Sequence, residues 1–104
     1  MGGTPRMTAP LQRVLLLFLQ DPSKRHYGLE IAREADLQRG TLYPMLARLE
    51  ERRWVTSEWE DIDPVVEGRR PRRYYTLTDE GLRQAQQARD ALIAAIGNLG
   101  IAGV

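Results

Sequence analysis

The chain contains no cysteine and a single histidine, His26. Disulfides, thiolate nucleophiles and cysteine-based zinc sites are therefore excluded together, and one imidazole cannot hold a metal. Long apolar runs are also missing. None is longer than the six residues at positions 14–19, against the roughly 20 that a membrane helix requires, and no charged leader with a cleavage site precedes that run. Nor is there an excess of one charge: 15 Lys and Arg face 14 Asp and Glu, for a formal net charge of +1. Nucleophile elbows, phosphate loops and triad-like local signatures do not occur. These absences point away from enzymes and membrane proteins, toward a cytoplasmic chain that needs no cofactor.

What remains is one domain of 104 residues, 42% hydrophobic and 28% charged, a globular composition. A lone domain of this size hides only about two-thirds of its unfolded surface, so a second subunit can complete its core.

Residues 1–7 read as a flexible lead segment. Thr8 then caps a helix in which Leu11, Val14, Leu15 and Phe18 repeat at helical spacing, and Asp21-Pro22 ends it. Leu16, Leu17 and Leu19 fall beside and behind that stripe, so this helix needs a second covering surface. A short helix from about Gly28 to Ala35 buries Ile31 and Ala35 on a face shared with Tyr27. After a brief connection, Leu42, Met45, Leu46 and Leu49 mark a third helix at i, i+3, i+4 and i+7. Pro44 is tolerated only near its beginning, which places that beginning close to Gly40 or Thr41. His26 reads as a surface or half-buried turn residue with no chemistry of its own.

From Trp54 the period changes to two. Val55, Ser57 and Trp59 alternate with Thr56, Glu58 and Glu60, and later Arg73, Tyr75 and Leu77 alternate with Arg72, Tyr74 and Thr76. A hairpin with a long tip over 61–71 results, its tryptophans and tyrosines serving as core or cross-strand contacts. Thr78 caps a last helix, with Asp79 and Glu80 at its positively polarised first turn. The expected fold is mainly α with a small β-hairpin: a winged helix-turn-helix over 8–78, followed by a C-terminal dimerisation helix and tail over 79–104.

Two features carry chemistry. The stretch Gly68-Arg69-Arg70-Pro71-Arg72-Arg73 sets four guanidiniums at the hairpin tip, where permanent charge and forked donors suit phosphate oxygens or a narrow minor groove. The competing role for these arginines is to pair with Asp61, Asp63 and Glu67 in a solvated loop. On the third helix, Gln38, Arg39, Thr41, Tyr43 and Arg48 project opposite the leucine stripe, at the end that meets base edges in helix-turn-helix proteins. In the last helix, Leu82, Ala85, Leu92, Ile96 and Leu99 form a short heptad-like seam, interrupted by Arg89. With Leu16 and Leu17 of the first helix they are the expected homodimer contacts. An alternative from another class keeps the dimer but sets the hairpin against an acidic protein, as an adaptor without DNA binding.

The runs GTLYPMLARLEER (40–52), YGLEI (27–31) and GRRPRRYYTLTDEG (68–81) together resemble the PadR family of bacterial transcription regulators, a likeness spanning about two-thirds of the chain. It implies a dimeric repressor that places one third helix per subunit in successive major grooves of an inverted-repeat operator in double-stranded DNA. Gly40, Thr41, Tyr43 and Pro44 would form the recognition segment, with Gln38, Arg39 and Arg48 beside it, and Arg69, Arg70, Arg72 and Arg73 the wing. Some members of this family release DNA on binding a small hydrophobic or phenolic effector. The sequence departs from the pattern at Gln38-Arg39, where Ser or Thr often precedes the glycine, at Leu29 in place of tyrosine, and at Arg53 in place of glycine. The last departure implies either a left-handed residue or a longer helix. The last helix also lacks tryptophan.

Overall fold

Thr8 accepts the Leu11 amide at 3.3 Å and opens α1 (Ala9–Gln20). A computed structural model describes the chain over residues 6–99. Residues 1–5 of the expected flexible segment and 100–104 of the expected tail lie outside the described residues. After α1 come β1 (His26–Tyr27), α2 (Gly28–Glu34), α3 (Arg39–Glu51), β2 (Val55–Trp59), α4 (Pro64–Glu67), β3 (Arg73–Leu77) and α5 (Asp79–Asn98). This is a mainly helical winged helix-turn-helix with a long C-terminal helix packed on α1.

The sheet has three antiparallel strands in the order β1-β3-β2, not the simple hairpin expected. Strand β1 pairs His26 with Tyr75 and Tyr27 with Tyr74. A two-residue strand is too short to show alternation, which is why it is invisible in the sequence. It also corrects the placement of His26, which is 3% exposed. Its Nδ1 lies 3.1 Å from Glu30 Oε1, and its ring meets Phe18 edge-on at 5.3 Å.

The core gathers Leu11, Val14, Leu15 and Phe18 of α1, Ile31 of α2, Leu42, Leu46 and Leu49 of α3, Trp54 just before β2, and Val55 and Tyr75 of the sheet. Leu17 is buried in this same core, and Ala85 has no exposed surface at all. Ala85 therefore cannot meet a partner subunit: with Ala88 it forms the buried side of α5, the helix that packs on α1.

Two helices end on non-glycine residues in the left-handed region. Asp36 (φ 55°) follows α2, and Arg53 (φ 61°) follows α3. In both, the next amide reaches back to the third-last helical carbonyl: Leu37 N to Ala32 O and Trp54 N to Leu49 O, each 2.9 Å. This double-bonded helix ending normally uses glycine. Of the two outcomes open for Arg53, the left-handed one is found. The Trp54 carbonyl then receives the Thr78 amide at 3.0 Å. That junction admits only glycine at position 81, where a β-carbon would stand 1.8 Å from the Trp54 oxygen.

Pro44 is the sixth residue of α3 rather than part of its opening turn. The carbonyl deprived of a partner is that of Gly40, an exposed residue with open space around its α-carbon. Solvent can take that carbonyl, so the helix continues through the proline. The expected start was late by one or two residues.

Candidate nucleic-acid interface

At about 100° per residue, the buried Leu42, Met45, Leu46 and Leu49 define the inner side of α3, and the line directly opposite passes through Gly40, Pro44 and Ala47. From Gly40 to Ala47 that outer crest carries no long side chain, and Glu51 stands on it only at the last residue of the helix. Arg39 and Tyr43 flank it on one side, Thr41 and Arg48 on the other. Gln38 precedes the helix as its N-cap and makes no side-chain capping bond. All the residues expected in the recognition segment, Gln38, Arg39, Gly40, Thr41, Tyr43, Pro44 and Arg48, are exposed. The structure thus brings them together as one ridge with a low crest and polar shoulders.

The wing faces this ridge across a cavity of about 670 Å³, whose walls include Arg39 and Tyr43 on one side and Arg70, Arg72 and Trp59 on the other. Its floor includes Tyr27 and Gly28. The four wing arginines, equivalent in sequence, occupy four different settings. Arg69 is held by Glu60 through both terminal nitrogens, at 2.7 and 2.9 Å. Arg73 donates to Ser57 Oγ at 3.0 Å, approaches Glu50 at 3.6 Å and covers the Trp59 ring at 5.2 Å. Arg72 lies over the Tyr27 ring at 4.5 Å. Arg70 is exposed, and no carboxylate among the described residues pairs with it.

Arg69 thus pairs with an acid, as the solvated-loop alternative anticipated, but with Glu60 at the end of β2 rather than Asp61, Asp63 or Glu67. The Arg69 hydrogen bond holds the Glu60 carboxyl down to about 2, and Glu60 in turn raises Arg69 above its ordinary value. Burial pushes the Tyr75 phenol up. The tip itself contains the four-residue α4, capped by Asp63, whose carboxylate accepts the Val65 amide at 3.0 Å.

Several contributors escaped the sequence reading. Arg25 stacks on Tyr74 at 4.4 Å, and Tyr74 meets Tyr27 edge-on at 5.8 Å. With Arg72 on Tyr27, they form a run of two touching rings with a cation at each end. Trp59, expected to pack, is 62% exposed. The seam residues divide: Leu16, Leu82 and Leu92 are half-buried, whereas Ile96 and Leu99 are exposed, together with Ile93, which the heptad reading omitted. Among the described residues there is no helix long and apolar enough to cross a membrane.

A three-helix unit with an exposed third helix, a basic wing and a trailing helix defines the winged-helix class. Within that class, the profile of the Transcriptional regulator PadR-like family matches residues 15–87, and the chain belongs to this family of non-enzymatic transcription regulators. It is similar to the crystal structure of a PadR family transcriptional regulator from Eggerthella lenta DSM 2243, with 30% identity over 86% of this chain and 82% of that one, and a TM-score of 0.67. Overoxidized AbfR bound to DNA is also 30% identical, over 86% of this chain and 60% of that one, with a TM-score of 0.66. A PadR-like regulator from Bacillus cereus strain ATCC 14579 shares the fold at 21% identity over 86% of this chain and 89% of that one, with a TM-score of 0.65. A comparison with curated protein sequences finds no match.

Proposed function

We propose that the protein is a sequence-specific, DNA-binding transcriptional repressor that acts as a homodimer on an inverted-repeat operator. The observation that carries this reading is the low crest of α3 facing an arginine-bearing wing. Gly40, Pro44 and Ala47 let the helix backbone approach the floor of a major groove, while Arg39, Tyr43, Thr41 and Arg48 reach base edges and phosphates from either side. Arg70 and Arg72 supply phosphate contacts from the wing. AbfR, at 30% identity, is a relative that has been seen on DNA, which favours the same use of this face.

In this reading residues 8–78 bind DNA, and residues 79–104 bring two copies together. Helix α1, with 12 residues, is about 18 Å long, and α5, with 20, about 30 Å. The stripe that packs on α1 through Ala85 and Ala88 therefore runs on as the half-buried Leu92 to Ile96 and Leu99, which are left exposed among the described residues. A second copy covers it and sets the two α3 helices about 34 Å apart, one DNA turn. Release by a small hydrophobic or phenolic effector belongs to the same reading. Oxidation of a thiol does not, because the 104 residues contain no cysteine.

The test is selection from a randomised duplex pool at moderate salt. An enriched inverted repeat with half-sites one turn apart is expected. Recovery of no sequence above background would contradict the proposal.

A further inference from the structure

We infer that Glu60 and Arg69 form the clamp that shapes the wing for DNA, so that Arg69 is a positioning residue and Arg70 and Arg72 make the wing's contacts. The inference rests on the DNA-binding reading and reassigns one arginine within it.

The regular pairing of β2 with β3 ends at Trp59 opposite Arg73. Glu60 and Arg72 stand at the next position of that register. The Glu60 amide donates to the Arg72 carbonyl at 2.8 Å, as a ladder rung should. The return rung is different: the Arg72 amide donates to the Glu60 side chain, at Oε1, at 3.0 Å. The carboxylate thus replaces a main-chain carbonyl at the neck of the 61–71 loop.

The same carboxylate takes both terminal nitrogens of Arg69, and one of these also reaches the Arg70 carbonyl at 3.3 Å. A forked arginine–carboxylate pair fixes orientation as well as distance. Both partners are largely covered, with side-chain exposures of 34% for Arg69 and 16% for Glu60. Within the loop, Asp63 caps α4 and Gly68 turns back at φ 68°. The Arg69 fork is therefore already spent on Glu60, whereas the Arg70 and Arg72 side chains border the cavity shared with Arg39 and Tyr43.

A clamp at Glu60 and simple electrostatics predict opposite signs for its removal. Removing an acid from a basic face should tighten DNA binding if charge alone matters. Removing a clamp should weaken it.

The test titrates the full chain against a labelled mixed-sequence duplex of about three turns, by fluorescence anisotropy at several salt concentrations. Glu60→Ala is expected to bind roughly three- to tenfold more weakly, the cost of ordering one or two freed side chains on binding. Arg69→Ala should lose no more than Glu60→Ala, which also frees the Arg72 amide, and the double variant no more than Glu60→Ala, since the Arg69 fork is already gone in that single variant. Tighter binding by Glu60→Ala, or losses that add in the double variant, would overturn the assignment.

Hydrogen exchange on the free protein tests the clamp apart from DNA. Protection of the Arg72 amide should drop in Glu60→Ala, and unchanged protection would overturn the clamp. A parent chain that fails to bind the duplex at low salt counts against the DNA-binding reading, and the exchange result then still decides the clamp.

Discussion

The Tyr43 ring lies on the α-carbon of Gly28. A β-carbon at Gly28 would stand 2.6 Å from the phenol oxygen and 2.7 Å from Cε1. The first residue of α2 is thus the floor that sets the direction of an exposed side chain on α3, and it explains a glycine at a helix start, where that residue has no intrinsic advantage over a good helix former.

Gly28→Ala should therefore act on binding more than on folding. The atoms in the way are the far end of a side chain that is 43% exposed and can swing aside. A thermal midpoint within a few degrees of the parent is expected, with binding to a selected sequence weaker by about 1 kcal/mol. Calorimetry and anisotropy on the same preparation check both halves.

Arg53→Gly should stabilise the fold. A left-handed non-glycine residue costs about 1–2 kcal/mol, of which glycine's greater freedom in the unfolded chain offsets about half. A gain of roughly 0.5 kcal/mol in urea unfolding is expected. Arg53→Ala, which keeps the strain, should show no such gain.

The Glu60 clamp predicts a specific acid sensitivity. Its carboxyl is lowered from the ordinary 4.5 to about 2, so folding favours the ionised form. Its contribution is fully present above pH 4.5 and is lost as pH falls from there toward 2. Glu80, also lowered, through Gln84 and Arg83, adds in the same direction. Comparing parent and Glu60→Gln by denaturant unfolding across this window should show the difference shrinking as pH drops.

The exposed end of α5 predicts the oligomeric state. Leu99 and Ile93 are 73% and 57% exposed, so Ile93→Glu or Leu99→Glu disturbs little of the packing among the described residues. Sedimentation velocity should show a dimer for the parent and a monomer for either variant, with helix content unchanged.

Helical periodicity carried most of the architecture. The i, i+3, i+4, i+7 leucines of α3 point inward as the spacing predicts, and their opposite face is the exposed ridge. Strand β1 stayed hidden because two residues have no period, and with it the burial of His26 and the roles of Arg25 and Tyr27. The wing was legible as a charge cluster but not as a device, since four adjacent arginines look alike until the register places Glu60 beside Arg72. Ala85 in the seam and Leu17 on the first helix fit core and interface equally well by spacing, and only the packing of α5 on α1 separates the two.

Sequence reading by α3 is tested most directly by comparing Tyr43→Ala and Arg70→Ala on a selected duplex and on its scrambled counterpart. Tyr43→Ala should lose affinity for the selected duplex alone, by about 1–3 kcal/mol, while Arg70→Ala weakens both equally and lowers the salt slope by about 1. Equal losses on both duplexes for Tyr43→Ala would contradict the account.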